Sequence, residues 1–131
     1  QQLTACPAIG NLIGRLYCSD PSPDHYISWH SDMGDHRLVG ISINLTSTDY
    51  AGGVFEMREA KTKRLLYEFH STSLGDAHLF RLDPSVEHRV TPVTGSVSRM
   101  AYSGWFRAQP HYASIVQDMF QAETALPTAT S

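Results

Sequence analysis

Two runs of strict alternation, residues 38–45 and 97–106, constrain this chain more than anything else in it. In a β-strand successive side chains point to opposite faces, so residues two apart share a side. In the first run Val39, Ile41, Ile43 and Leu45 make an apolar side, and Gly40, Ser42 and Asn44 a small, polar one. In the second, Val97, Arg99, Ala101, Ser103 and Trp105 share a side, and Ser98, Met100, Tyr102, Gly104 and Phe106 share the other. Shorter segments at 12–17, 54–57, 65–69, 77–80 and 87–90 read as further strands. Turn residues separate them: Ser19 to Asp24, Met33 to His36, Tyr50 to Gly53, a hairpin tip at Lys61-Thr62-Lys63, Leu74 to Asp76, and Asp83 to Ser85. No helical segment lies between strands to make parallel crossovers. The pattern therefore predicts mainly antiparallel sheets in a sandwich, barrel or jelly roll.

Only the tail changes period. Pro110 suits the first turn of a helix, and Tyr112, Ile115, Val116, Met119 and Phe120 follow at helical spacing. The spacing predicts a helix over 110–124 packed on one sheet, with a frayed Thr/Ala/Pro end after Ala125. At 131 residues the chain is read as a single domain, 1–131.

Charge is nearly balanced, with 10 basic and 13 acidic residues and a net charge of −3. No basic block marks a nucleic-acid or anionic-membrane footprint. No apolar run approaches the roughly 18 residues of a membrane span. Cys6 and Cys18 fit no zinc spacing and read as ordinary thiols in a reducing compartment, so a cytoplasmic location is expected. The chain starts at Gln1 without a signal-peptide pattern, as a processed chain or a piece of a longer one would.

The chemistry is concentrated at Tyr26-Ile27-Ser28-Trp29-His30-Ser31-Asp32. On a strand His30 and Asp32 project the same way, with Tyr26 and Ser28 behind them. Adding the distant His88 gives two imidazoles and one carboxylate, a donor set that suits non-heme Fe(II) with open positions for other ligands. His25, His36, His70, His78 and His111 read as surface or packing residues. Arg99 shares the side that carries Ser103 and Trp105, and a buried guanidinium without a partner costs several kcal/mol, on the order of. An incoming carboxylate would settle it as a bidentate pair; an internal Asp or Glu is the alternative.

At these residues the chain resembles a known family. Trp29-His30-Ser31-Asp32, Ser42-Ile43-Asn44-Leu45, Gly52-Gly53-Val54-Phe55 and His88 to Val93, continuing through Arg99 to Gly104-Trp105-Phe106, are similar to the 2-oxoglutarate/Fe(II) dioxygenases, nearest their prolyl-4-hydroxylase-like branch. The resemblance spans roughly residues 26–106. It implies an all-β double-stranded β-helix (a cupin-like jelly roll) with the metal inside its mouth. His30, Asp32 and His88 match the metal triad, and Arg99 the residue that pairs with the far carboxylate of 2-oxoglutarate. Ser103 falls where a hydroxyl assists that pairing, Trp105 where an aromatic walls the cosubstrate, and Asn44 on the strand lining the pocket. Tyr26 sits one place off the usual tyrosine before the first histidine.

The implied activity is hydroxylation of an unactivated C–H bond of a peptidyl residue, an amino acid or a small molecule. Fe(II), 2-oxoglutarate and O2 are the implied cofactors, with ascorbate as an accessory reductant, and succinate and CO2 as products. The chain is shorter than members of that family usually are, so a second copy in a homodimer could supply missing wall. Two other readings stay open: a cupin-type metal-binding jelly roll independent of 2-oxoglutarate, and a non-catalytic binding module. Loops 33–37, 47–52 and 70–76 are expected to form the pocket rim.

Overall fold

The structure is a computed structural model and describes residues 9–108. Ten strands follow one another: β1 (Ile9–Ser19), β2 (Ile27–His30), β3 (Arg37–Asn44), β4 (Ala51–Gly52), β5 (Phe55–Glu59), β6 (Leu65–Phe69), β7 (Ala77–Arg81), β8 (Val86–Val90), β9 (Val93–Thr94) and β10 (Arg99–Ala108). They form one four-stranded sheet of order β1-β10-β3-β7, another of order β2-β8-β5-β6, and a two-stranded ladder of β4 and β9. Every pairing is antiparallel, as the absence of crossover helices required.

The architecture corrects the expected double-stranded β-helix with its C-terminal helix. Neither four-stranded sheet closes: β1 and β7 are left as edges of one, and β2 and β6 as edges of the other. The β4–β9 ladder, with two residues in each strand, is too short to carry a closure. No helix occurs among the described residues, and the helix predicted over 110–124 lies outside them.

The inner faces of the two sheets meet through aromatic rings. Phe55 of β5 packs against Phe80 of β7 at 4.8 Å between ring centroids, and Phe80 against His88 of β8 at 4.7 Å. Gly40 makes this approach possible, since a Cβ there would stand 2.2 Å from Cζ of Phe80. Phe55 and Ala101 are buried on these inner faces and Val93 is buried on β9, while Val39 is buried on the opposite side of β3. Burial of each such apolar side chain contributes about 1.5–3 kcal/mol.

On the outer face of the second sheet, Glu56 and Arg58 of β5 stand directly opposite Arg89 and Glu87 of β8. They form two crossed ion pairs, and Trp29 is covered by both guanidinium groups, at 4.0 Å from Arg58 and 4.7 Å from Arg89. The predicted hairpin tip at 61–63 joins β5 to β6, with Lys63 in the left-handed region at φ +61°.

Candidate metal centre

The pairing of β2 with β8 places His30 opposite His88, and their rings lie 4.3 Å apart between centroids. Asp32 reaches the same point by another route. β2 ends at His30, and Asp32 lies two residues beyond it at φ +54°. The two-residue spacing thus brings the carboxylate to the histidine through a left-handed turn, not through strand alternation. Asp is one of the few residues that tolerate this conformation, because its short polar side chain bonds locally.

The donor atoms converge. Asp32 Oδ1 is 3.4 Å from His30 Nε2, and Asp32 Oδ2 is 3.3 Å from His88 Nε2. One donor atom from each of the three residues lies within 4.8 Å of the others. Ligands held at about 2.1 Å and near right angles around one ion stand about 3 Å apart, so the three side chains would draw together around the ion they hold.

Neighbouring groups fix the ligands. His30 Nδ1–H donates to the Ser28 carbonyl at 2.6 Å, since a carbonyl can only accept; Nε2 is thereby the atom turned to the metal position. Trp105 Nε1–H donates to Asp32 Oδ2 at 2.8 Å. Arg37 stacks on the Trp105 ring at 4.1 Å and places Nη1 3.7 Å from Asp32 Oδ1.

Burial alone would raise the Asp32 pKa. Hydrogen bonds from His30, His88 and Trp105 outweigh it and hold the carboxyl far below the usual range. The hydrogen bond to Asp32 raises the His30 pKa above its ordinary value, against a smaller opposing effect of burial. At neutral pH Asp32 is therefore ionised, and protonation of His30, favoured by that carboxylate, competes with a cation. Metal affinity is expected to fall as pH drops, starting above the free-imidazole value of about 6.5. Calorimetric titration with Mn(II) between about pH 8 and pH 6 checks this, and an affinity flat across that window would contradict it.

The triad borders a cavity of about 270 Å³ whose wall includes Phe55, Phe80, Val90, Ser103 and Trp105. Deeper on the inner face of β10 lies Arg99, only 5% exposed. Its Nη2 is 3.5 Å from Ser42 Oγ, which also accepts from Ser103 Oγ–H at 3.3 Å. Its Nε is buried with no partner, and among the described residues no carboxylate pairs with it. Gly53, at φ +61°, makes room for it, because a Cβ there would stand 2.7 Å from Arg99 Cδ.

The structure therefore brings His30, Asp32, His88 and Trp105 together, and sets Ser103 and Arg99 on the face behind them. Two expected residues lie elsewhere. Tyr26 is 55% exposed and borders a surface depression with Tyr17, Cys18 and His25. Asn44 is buried, but its amide ties two loops: Nδ2 donates to the Ser73 carbonyl at 3.0 Å, and Oδ1 accepts from Thr46 N at 3.1 Å. Of the three rim loops only 33–37 reaches the cavity, through Arg37.

Arg15 and Tyr17 also line the cavity, and neither is among the expected site residues. Arg15 and Tyr17 share the inward side of β1, a period-two signal that the weakly patterned first strand obscured.

The sequence model of the 2OG-Fe(II) oxygenase superfamily matches residues 15–107. This chain belongs to that superfamily. His30, Asp32 and His88 are its two-histidine, one-carboxylate facial set, consistent with Fe(II). Among solved structures, the chain is similar to a prolyl-4-hydroxylase from Pseudomonas putida, with a TM-score of 0.61 and 21% sequence identity. The similarity covers 80% of this chain and 56% of that one, so the chain spans little more than half the length of that relative. At this identity the likeness is one of fold. No curated protein matches the chain. No helix among the described residues is long and apolar enough to cross a membrane.

Proposed function

We propose that the chain is a 2-oxoglutarate-dependent oxygenase that hydroxylates a C–H bond of a peptidyl residue, an amino acid or a small molecule. The reading rests most on Arg99. A guanidinium that is 5% exposed and has no carboxylate partner among the described residues, on the inner face that carries Trp105, suits a ligand bearing its own anionic end. A cupin-type centre working without an oxo acid has no use for it.

When bound, Fe(II) with 2-oxoglutarate and O2 supplies oxidative decarboxylation to succinate and CO2, coupled to oxidation of the substrate. The chain supplies everything around that. His30, Asp32 and His88 would hold the ion on one face and leave the cavity side open. Ser28 fixes the His30 tautomer, and Trp105 keeps one carboxylate oxygen of Asp32 aimed. Phe55, Phe80 and Val90 line the cavity with apolar surface that excludes water. Arg99 and Ser42 would hold the distal carboxylate, which sets how deeply the cosubstrate enters.

Anaerobic addition of Fe(II) and 2-oxoglutarate, with ascorbate present, is expected to give the weak visible band of the chelate. Admitting air should then yield succinate. Metal binding with neither band nor succinate would leave a binding module as the better account.

A further inference from the structure

We propose that His78 is a third anchor for the distal carboxylate of the bound oxo acid, alongside Arg99 and Ser42. The proposal rests on the 2-oxoglutarate reading above. His78 is 8% exposed, and both of its ring nitrogens are buried without a hydrogen-bond partner among the described residues. That is costly: a buried polar group left unpaired loses about 1–3 kcal/mol. Burying a ring of this size needs no nitrogens, since Phe55, Phe69 and Phe80 surround it at 4.4, 4.9 and 5.7 Å between centroids. An apolar side chain would pack there at lower cost. An unsatisfied imidazole in a native core calls for a ligand.

The position says which ligand. His78 on β7 is paired with Ser42 on β3, which is paired with Ser103 on β10, which is paired with Arg15 on β1. These four residues form one row across the inner face of the sheet. Arg99 reaches into this row at Ser42. Ser42 Oγ already accepts from Arg99 and from Ser103, so its own proton is free to be donated. Because His78 stands beside Ser42 in this row, an anion held by Nε–H of Arg99 and O–H of Ser42 would come within reach of one N–H of His78, and no carboxylate of the described residues pairs with Arg99. Three donors and no anion match the lone-pair sites of one carboxylate.

Burial, aided by the charges of Arg99 and His88, lowers the His78 pKa to about 4. The imidazole is neutral at physiological pH, so it adds a donor without adding a second buried charge.

His78→Leu tests this against a purely structural role. The Mn(II)-loaded protein is titrated with 2-oxoglutarate under nitrogen and followed by calorimetry, and thermal unfolding is measured without ligand. The leucine variant is expected to bind 2-oxoglutarate about 10- to 100-fold more weakly, the range for one hydrogen bond to a charged group. It should melt at a temperature no lower than the parent, because the unsatisfied nitrogens are gone. His78→Gln, which restores an N–H donor, should recover part of the affinity. Unchanged affinity in His78→Leu, or a loss that accompanies a lower melting temperature and is not recovered by His78→Gln, overturns the role of His78. If the parent protein itself binds Mn(II) but no 2-oxoglutarate, the oxo-acid reading fails first, and His78 with it.

Discussion

Asp32→Asn is expected to abolish turnover, lowering succinate formation by about a thousandfold or more while leaving the fold intact. The anionic ligand supplies several kcal/mol to the holding of a divalent ion, and each ~1.4 kcal/mol is a factor of ten. Asparagine separates this loss from damage to the fold. Like aspartate it tolerates the left-handed backbone at φ +54°, and its side-chain oxygen still accepts from Trp105 Nε1. Alanine at the same place would confound the two effects, since it adds backbone strain and leaves the Trp105 donor unpaired. Iron content after anaerobic loading, succinate yield and melting temperature together give the answer. Turnover within tenfold of the parent would remove Asp32 from the metal centre.

Arg99→Gln should raise the KM for 2-oxoglutarate by about a hundredfold or more, with iron binding retained. Two hydrogen bonds from a guanidinium to a carboxylate are each worth about 1.5–3 kcal/mol when the partners are charged. The loss is confined to one ligand because Arg99 makes no hydrogen bond to either metal-binding imidazole; among the described residues its one side-chain hydrogen bond is to Ser42. Without ligand the variant should be no less stable than the parent, since a buried cation lacking a carboxylate partner costs stability in the free protein. Anaerobic titration of the visible band reads the affinity directly. An unchanged KM would return Arg99 to a structural role.

Much of this was legible in the sequence, and the parts that were not have identifiable causes. Period-two alternation put Gly40 and Ser42 on one side of β3, and Arg99, Ser103 and Trp105 on one side of β10. Those are the sides that carry the site. Alternation reports which residues share a face, but not how far a sheet continues. Closure into a β-helix follows only from resemblance, and the open edges of both sheets refuse it. His30 and Asp32 were matched for the wrong local reason. Their spacing fits a strand, yet a left-handed turn beyond the strand end delivers the carboxylate.

Asn44 shows the opposite failure. It lies on the inward side as expected, but its amide is consumed by Ser73 and Thr46, partners in loops whose path alternation cannot trace. His78 has the right period, two residues from Phe80 on β7, but in the sequence it looks like any of the other spare histidines. Only the absence of partners around its ring, which a sequence does not display, sets it apart.

The crossed ion pairs of β5 and β8 have a consequence for the face they do not touch. Glu56 with Arg89 and Arg58 with Glu87 alternate along the ladder with Phe55 opposite Val90 and Met57 opposite His88. A slip of one residue would turn His88 outward and bring Glu56 against the wrong neighbour, so the exterior charges act as a lock on register. The alignment of an iron ligand is thus guarded from the solvent side of the sheet, by groups that ionic strength can loosen.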